Sequence, residues 1–292
     1  MKKLTIQAPA KINIGLEAGG LRPDGYHEIC TFMQTAACFD EIHISIADKF
    51  SFSHDRADLP SDENNICVKA YRKLTGLIGQ ELPVSMELIK RIPIGAGMGG
   101  GSSDAAAALK GINELYHLNF NDEELASIGV ELGADVPFFI ISKGSALCEG
   151  IGEKVTAMES LFAGWVVIVF TGLLISTEWA YRKLDENLTF RLKNINLKDY
   201  LLKCFPALKG LNELKNDFDE VVFQYYRDLE KIKVQLVRLG ASYSSLTGSG
   251  SAVYGLFASE EKALEALVHL KEYPFKIAVR TPAPPVPFVA SD

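Results

Sequence analysis

Apolar and polar residues alternate along Leu4–Ala8, Lys11–Leu16, Thr31–Phe39 and Glu41–Ile46. A period of two buries one face of a strand, so the first 47 residues are predicted to hold four short strands. Asp58–Asn65 is polar, contains Pro60 and reads as a loop. Ile66–Leu77 changes to helical spacing with no proline inside it, and Val84–Ile92 returns to alternation. A glycine-rich stretch then runs into an alanine-rich helix from Asp104 to about Tyr116. In the next helix Asn121 can cap the start, Glu124 stands three residues on, and Gly133 can end it.

The second half has a different texture. Trp165–Phe170 is continuously apolar, as in a strand buried on both faces. Thr177–Leu184, Leu197–Phe205 and Asp217–Leu239 have helical periodicity. Ser242–Leu246 and Ala252–Phe257 flank a glycine turn, followed by a helix over Glu260–Lys271 and a strand over Phe275–Thr281. That order predicts a compact α+β layer. The expected division is residues 1–160, residues 161–282 and a proline-rich tail over 283–292.

Length and composition narrow the classes. The chain has 292 residues, 48 % apolar and 23 % charged, enough for one large or two medium domains. The longest strongly apolar stretch, Trp165–Ile175, is far shorter than the about twenty residues a membrane helix needs, so no membrane partner is expected. Lys2 and Lys3 resemble the start of a leader, but Gln7, Lys11 and Asn13 interrupt the apolar run that should follow. The net charge of −7 disfavours nucleic acid as a partner, so any phosphate must be held locally. Cys30, Cys38, Cys67, Cys148 and Cys204 are odd in number and lack a Cys-x-x-Cys, which points to reduced thiols and a cytoplasmic protein.

The richest chemistry lies in Ile92-Pro93-Ile94-Gly95-Ala96-Gly97-Met98-Gly99-Gly100-Gly101-Ser102-Ser103-Asp104. Closely spaced glycines let backbone amides face one concavity, and the helix start adds partial positive charge, so this segment can cradle phosphate. A Walker loop is excluded because no lysine lies here. Gly95 to Gly100 fits the dinucleotide pattern G-x-G-x-x-G only formally, because Pro93 separates strand from glycines and no opening βαβ unit precedes it. Asp135 follows a helix end and precedes Pro137; taken singly, it is more often a turn residue, as a lone Lys11 in a strand is more often solvated.

Three segments together resemble the GHMP small-molecule kinases. They are Ala8-Pro9-Ala10-Lys11-Ile12-Asn13, the glycine stretch continuing into Ala105-Ala106, and Leu246-Thr247-Gly248-Ser249-Gly250-Ser251-Ala252-Val253-Tyr254. Arg22-Pro23-Asp24-Gly25-Tyr26-His27, Leu132–Phe138 and Asn216-Asp217-Phe218 resemble the branch acting on a cytidine diphosphate-linked methylerythritol, in the non-mevalonate isoprenoid pathway. Thr171-Gly172 departs from the Pro-Gly usual there.

The resemblance implies a ribosomal-protein-S5-like first domain, a ferredoxin-like second domain and an active site in the cleft between them. It implies ATP as phosphate donor, transfer to a 2-hydroxyl, Asp135 as base and Lys11 as its charge partner. ATP would lie along Pro93, Ile94, Gly95, Ala96, Gly97, Met98, Gly99, Gly100, Gly101, Ser102 and Ser103, with Asn65 and Lys90 near adenine. Acceptor contacts would come from Asn13, Tyr26, His27, Thr177, Tyr181, Gly248, Ser249 and Gly250, with Tyr26-His27 on one side of cytosine and Tyr181 on the other. Mg2+ would accompany the nucleotide, with Ser102 or Ser103 as a ligand, and the chain would act as a monomer or weak homodimer. A mevalonate- or homoserine-type GHMP kinase, and a non-catalytic nucleotide-binding protein, remain the alternatives.

Overall fold

Two long strands carry the first half of the chain. Where the alternation predicts four strands, β1 (Lys3–Leu21) and β2 (His27–Ile46) run unbroken and antiparallel. Irregularities between Pro9 and Ala10, Ile14 and Leu16, and Ala18 and Leu21 absorb the interruptions. Pro9 has no amide to give the ladder and Gly15 takes φ +75°, so the register shifts there and the strand continues. This computed structural model describes residues 3–186, 197, 211–283 and 289–291.

The first sheet has the order β11-β1-β2-β4-β3, with β5 paired to the far half of β2 and β6 to β5. Its other members are β3 (Ser51–His54), β4 (Val84–Ile89), β5 (Ser145–Gly150), β6 (Lys154–Ala157) and β11 (Val289–Ser291). The periodicity missed β3, β5 and β6, which are four to six residues long and flanked by glycine or polar loops. Residues 289–291, placed in a tail by the sequence, pair with Lys3–Thr5.

Helices α1 (Ile66–Ile78), α2 (Gly100–Tyr116), α3 (Asp122–Val130) and α4 (Val136–Ile141) pack with this sheet. Asn65 accepts the Cys67 amide at the start of α1, and Asn121 with Glu124 closes a capping box on α3. The alanines of α2 bring it against Leu4, Ile6, Ile42 and Ile44. At Gly111 a side chain would stand 2.3 Å from Ile6 Cδ1, so only glycine permits that approach.

The second sheet has the order β10-β7-β9-β8: β7 (Gly164–Phe170), β8 (Tyr243–Leu246), β9 (Val253–Phe257) and β10 (Phe275–Thr281). With it pack α5 (Thr177–Glu186), α6 (Asp217–Tyr225), α7 (Arg227–Arg238) and α8 (Glu260–Val268). The single helix expected over 217–239 breaks at Tyr226, whose ψ of 71° is not helical. Consecutive helical side chains diverge by about 100°, whereas Tyr225 and Tyr226 both reach the Trp179 ring, at 5.3 and 5.4 Å. Most of the helix expected over 197–205, and Cys204, lie outside the described residues.

The two sheets share one core. Ala10, Ile12 and Ile14 of β1 and Phe32 of β2 cluster with Val166, Ile168, Tyr254 and Leu256. Gln34 donates to Phe162 O and Thr281 Oγ1 across the same boundary, at 2.6 and 2.7 Å. No helix among the described residues is long and apolar enough to cross a membrane.

Candidate active site

The glycine stretch is bent by three left-handed residues: Gly95, Gly97 and Gly99 have φ of 71°, 79° and 70°. Each alternates with an ordinary residue, Ala96 or Met98, whose side chain is buried. At Gly97 an added Cβ would lie 2.2 Å from Thr247 O and 2.8 Å from Gly250 O. The two glycine segments are laced together there. Ala252 donates its amide to Ala96 O at 3.1 Å, and Thr247 Oγ1 donates to Gly97 O at 3.0 Å. Gly99 begins α2 without a side-chain cap, which leaves the first amides of a 17-residue helix for a ligand.

A cavity of about 430 Å³ opens on this loop. Residues 93–102, Asn65 and Lys90 all line it. The last two are spoken for by the protein. Asn65 accepts the Cys67 amide and donates to Pro60 O, so it shapes the wall as a helix cap. Lys90, expected near adenine, turns its buried ammonium to the Asp40 and Asp104 carboxylates. Asp40 Oδ1 also accepts the Ile92 amide, at 2.8 Å. Burial pushes the Asp104 carboxyl well above the ordinary carboxylate range, and its Oδ1 has no hydrogen-bond partner, which suits a retained proton. The cluster anchors the strand end that leads into the glycines.

Ser102 and Ser103 diverge. Ser102 borders the loop cavity and the neighbouring one, whereas the Ser103 hydroxyl is fully buried and faces neither. Of the two metal-ligand candidates, only Ser102 is therefore placed to face a nucleotide-borne cation. No cluster of three His, Cys, Asp or Glu suited to a metal occurs among the described residues.

The second cavity, about 660 Å³, shares Gly97, Gly99 and Ser102 with the first. At its inner end Lys11 Nζ lies 3.4 Å from Asp135 Oδ2 and donates to Asn13 Oδ1 at 2.7 Å. Lys11 is buried, while the Asp135 side chain is 27 % exposed toward the cleft. Asp135 immediately precedes α4, and Pro137 in the first turn fixes the backbone there. Asn13, expected beside the acceptor hydroxyl, is occupied by the protein itself. Its Oδ1 takes Lys11 and shares the single Thr247 hydroxyl proton with Gly97 O, and its Nδ2 donates to Thr31 Oγ1 at 3.0 Å. It orients Lys11.

The outer end is aromatic. His27 and Tyr181 stack on each other, ring centres 4.8 Å apart and planes within 15°. That spacing holds no third ring, so in this arrangement the base expected between Tyr26-His27 and Tyr181 has no room between the His27 and Tyr181 rings themselves. His27 Nδ1 lies 3.0 Å from Gly19 O, Nε2 3.3 Å from Asp185 Oδ2, and Phe218 meets Tyr181 edge-on. Burial and the Asp135 charge hold the Tyr181 phenol far up. Tyr26, by contrast, is 60 % exposed at the rim and lines the cavity. Thr177 and Ser249 hydroxyls meet at 3.1 Å, closing α5 onto the third glycine segment.

Sequence reading found Thr177 and Tyr181 on α5 but missed Glu178, Arg182 and Asp185, which line the same cavity. The signal was available: 177, 181 and 185 recur at i, i+4 and i+8, and 178 and 182 sit beside them on one helix face. Thr247 was also missed, although its hydroxyl joins Asn13 to the glycine loop.

A phosphate-cradling loop meeting an Asp–Lys pair across a shared wall is the architecture of a small-molecule kinase. Residues 65–143 match the family described as GHMP kinases N terminal domain, and residues 199–274 match GHMP kinases C terminal. A 4-diphosphocytidyl-2-C-methyl-D-erythritol kinase of Chlorobium chlorochromatii is 40 % identical over 286 residues, covering 98 % of each chain. One of Citrifermentans bemidjiense is 41 % identical over 96 % of this chain and 100 % of its own. A crystal structure of 4-(cytidine 5'-diphospho)-2C-methyl-D-erythritol kinase superimposes with a TM-score of 0.80 at 28 % identity, over 95 % of this chain and 98 % of that one. A homoserine kinase from Cytophaga hutchinsonii shares the fold, with a TM-score of 0.70 at 18 % identity. The chain belongs to the GHMP kinases and, within them, to the family of 4-diphosphocytidyl-2-C-methyl-D-erythritol kinases.

Proposed function

We propose that this kinase transfers the γ-phosphoryl group of ATP to the 2-hydroxyl of 4-diphosphocytidyl-2-C-methyl-D-erythritol, in the non-mevalonate route to isoprenoids. The observation that carries the reading is the wall shared by the two cavities, with Lys11 and Asp135 beside it. ATP lies in the smaller cavity with its phosphates on the amides of the glycine loop and of the first turn of α2. The acceptor lies in the larger one, its hydroxyl at Asp135 and its cytidine at the aromatic end.

Phosphoryl transfer asks mainly for alignment and charge stabilisation. Asp135 accepts the hydroxyl proton as the new O–P bond forms, and the bond from the γ-phosphorus to the bridging oxygen breaks to release ADP. Lys11, held by Asn13, pairs with Asp135 and faces the transferring group. Magnesium bound with the nucleotide would supply charge neutralisation on the phosphates, and Ser102, which borders both cavities, would hold it from the protein side. Tyr26 takes one face of cytosine at the rim, and the His27–Tyr181 pair forms the other wall.

The glycine loop, Ser102, Lys11 and Asp135 all come from this one polypeptide, and we propose that it acts as a monomer or weak homodimer. The four described cysteines are buried and form no disulfide among the described residues, which supports a cytoplasmic location. The test is direct. Purified protein, ATP and the cytidine-linked acceptor should yield ADP and a new phosphomonoester by phosphorus NMR. Turnover of mevalonate or homoserine instead would overturn the reading.

A further inference from the structure

We propose that Arg182 is the acceptor's diphosphate anchor: its guanidinium, on the second turn of α5, takes the two phosphates that join cytidine to the methylerythritol. This rests on the function proposed above and adds a residue to it.

The argument is one of charge. The acceptor cavity is lined by three carboxylates, Asp135, Glu178 and Asp185, and by two permanent cations, Lys11 and Arg182. An anionic diphosphate entering that space needs a cation free to meet it. Lys11 is not free, because Asn13 and Asp135 hold it at the reacting end. Asp185 lies against the His27 ring.

Arg182 makes no hydrogen bond or ion pair with any described residue, although Glu178 and Asp185 stand four residues before and three after it on the same helix. Such neighbours pair readily when a helix face is open to solvent. Here the side chain, exposed at the cleft wall, pairs with neither. It follows Tyr181, at the aromatic end, by one residue, and helical side chains lean toward the helix N-terminus, so it extends back toward the turn of Thr177, which touches Ser249 of the third glycine segment. The linking diphosphate of a molecule stretched from aromatic wall to Asp135 must cross this interval. A guanidinium offers two parallel donors to adjacent phosphate oxygens, a geometry that lysine cannot reproduce.

The test uses the full-length enzyme. Arg182→Gln should raise KM for the cytidine-linked acceptor about ten- to hundredfold, the range for losing a hydrogen bond to a charged group. KM for ATP and the thermal midpoint should stay as in wild type. Arg182→Lys should recover only part of the loss. Cytidine and CDP, used as competitive probes, separate the possible failures. Wild type should bind CDP more tightly than cytidine, and Arg182→Gln should narrow that gap. If wild type turns over the acceptor and prefers CDP while Arg182→Gln retains both properties in full, the anchor is wrong and the function stands. If wild type binds neither probe and ignores the acceptor, the function itself falls.

Discussion

Gly97 has no room to vary. Its φ of 79° already disfavours a side chain, and the space a methyl would need is filled by two backbone carbonyls, which cannot swing away. Gly97→Ala should cost at least about 2 kcal/mol in urea unfolding, the left-handed penalty plus displacement of the Thr247–Gly250 segment. It should also weaken ATP binding, measured by calorimetry. Asp135 behaves differently, since its side chain makes no capping hydrogen bond to α4 and is partly open to the cleft. Asp135→Ala should remove turnover while ATP affinity stays near wild type, and full activity would refute its role as base. Lys11 and Asp135 were readable in the sequence because motifs of fixed order surround them. The partner of Tyr181 was not, because a ring's neighbour across 154 positions depends on where α5 docks. With His27 and Tyr181 stacked, Tyr26→Ala should weaken acceptor binding by about 1–3 kcal/mol through lost stacking. Tyr181→Ala should destabilise the fold as well, because that ring also packs on Phe218.

At the scale of elements, the decisive junction is the end of β4. Lys90 lies between Asp40 on β2 and Asp104 on α2, all nearly sealed from solvent. Removing this cation would leave the buried Asp40 carboxylate without its charge partner beside the Asp104 acid, so Lys90→Met should cost about 3–5 kcal/mol. Asp104→Asn mimics the protonated acid and should cost less. Its sign with pH follows from burial. The folded-state value is raised above the ordinary 3.8, so the contribution of this group is greatest below that value and fades as pH rises through the folded one. Urea unfolding across pH should therefore give a flatter profile for Asp104→Asn than for wild type. Sequence periodicity located α1, α3, α5, β7 and β10 closely, since each has a clear apolar stripe or run, and α1 and α3 carry side-chain caps as well. It ran α6 and α7 together because the break at Tyr226 arises from Trp179 on another helix, with no glycine or proline to announce it.

The whole molecule is held by a core that crosses from one sheet to the other, through Ile12 and Ile14 on one side and Ile168 and Tyr254 on the other. Tyr254 also donates its hydroxyl to Asn13 O at 2.6 Å, tying the second sheet to the strand that carries Lys11. Unfolding should accordingly be a single transition by both fluorescence and circular dichroism. A saturating ATP analogue should raise the midpoint of that one transition, by about 2.7 kcal/mol of stability at a hundredfold excess over Kd. Two transitions, with the nucleotide moving only one, would contradict a continuous core.

The partition between the two cavities is only a few residues thick, being made of Gly97, Gly99 and Ser102. A single synthetic molecule carrying adenosine at one end and cytidine at the other, tethered by a short oligophosphate, could occupy both chambers at once. Each half would then present the other at high effective concentration. Such a compound should hold the enzyme far more tightly than either nucleoside phosphate alone.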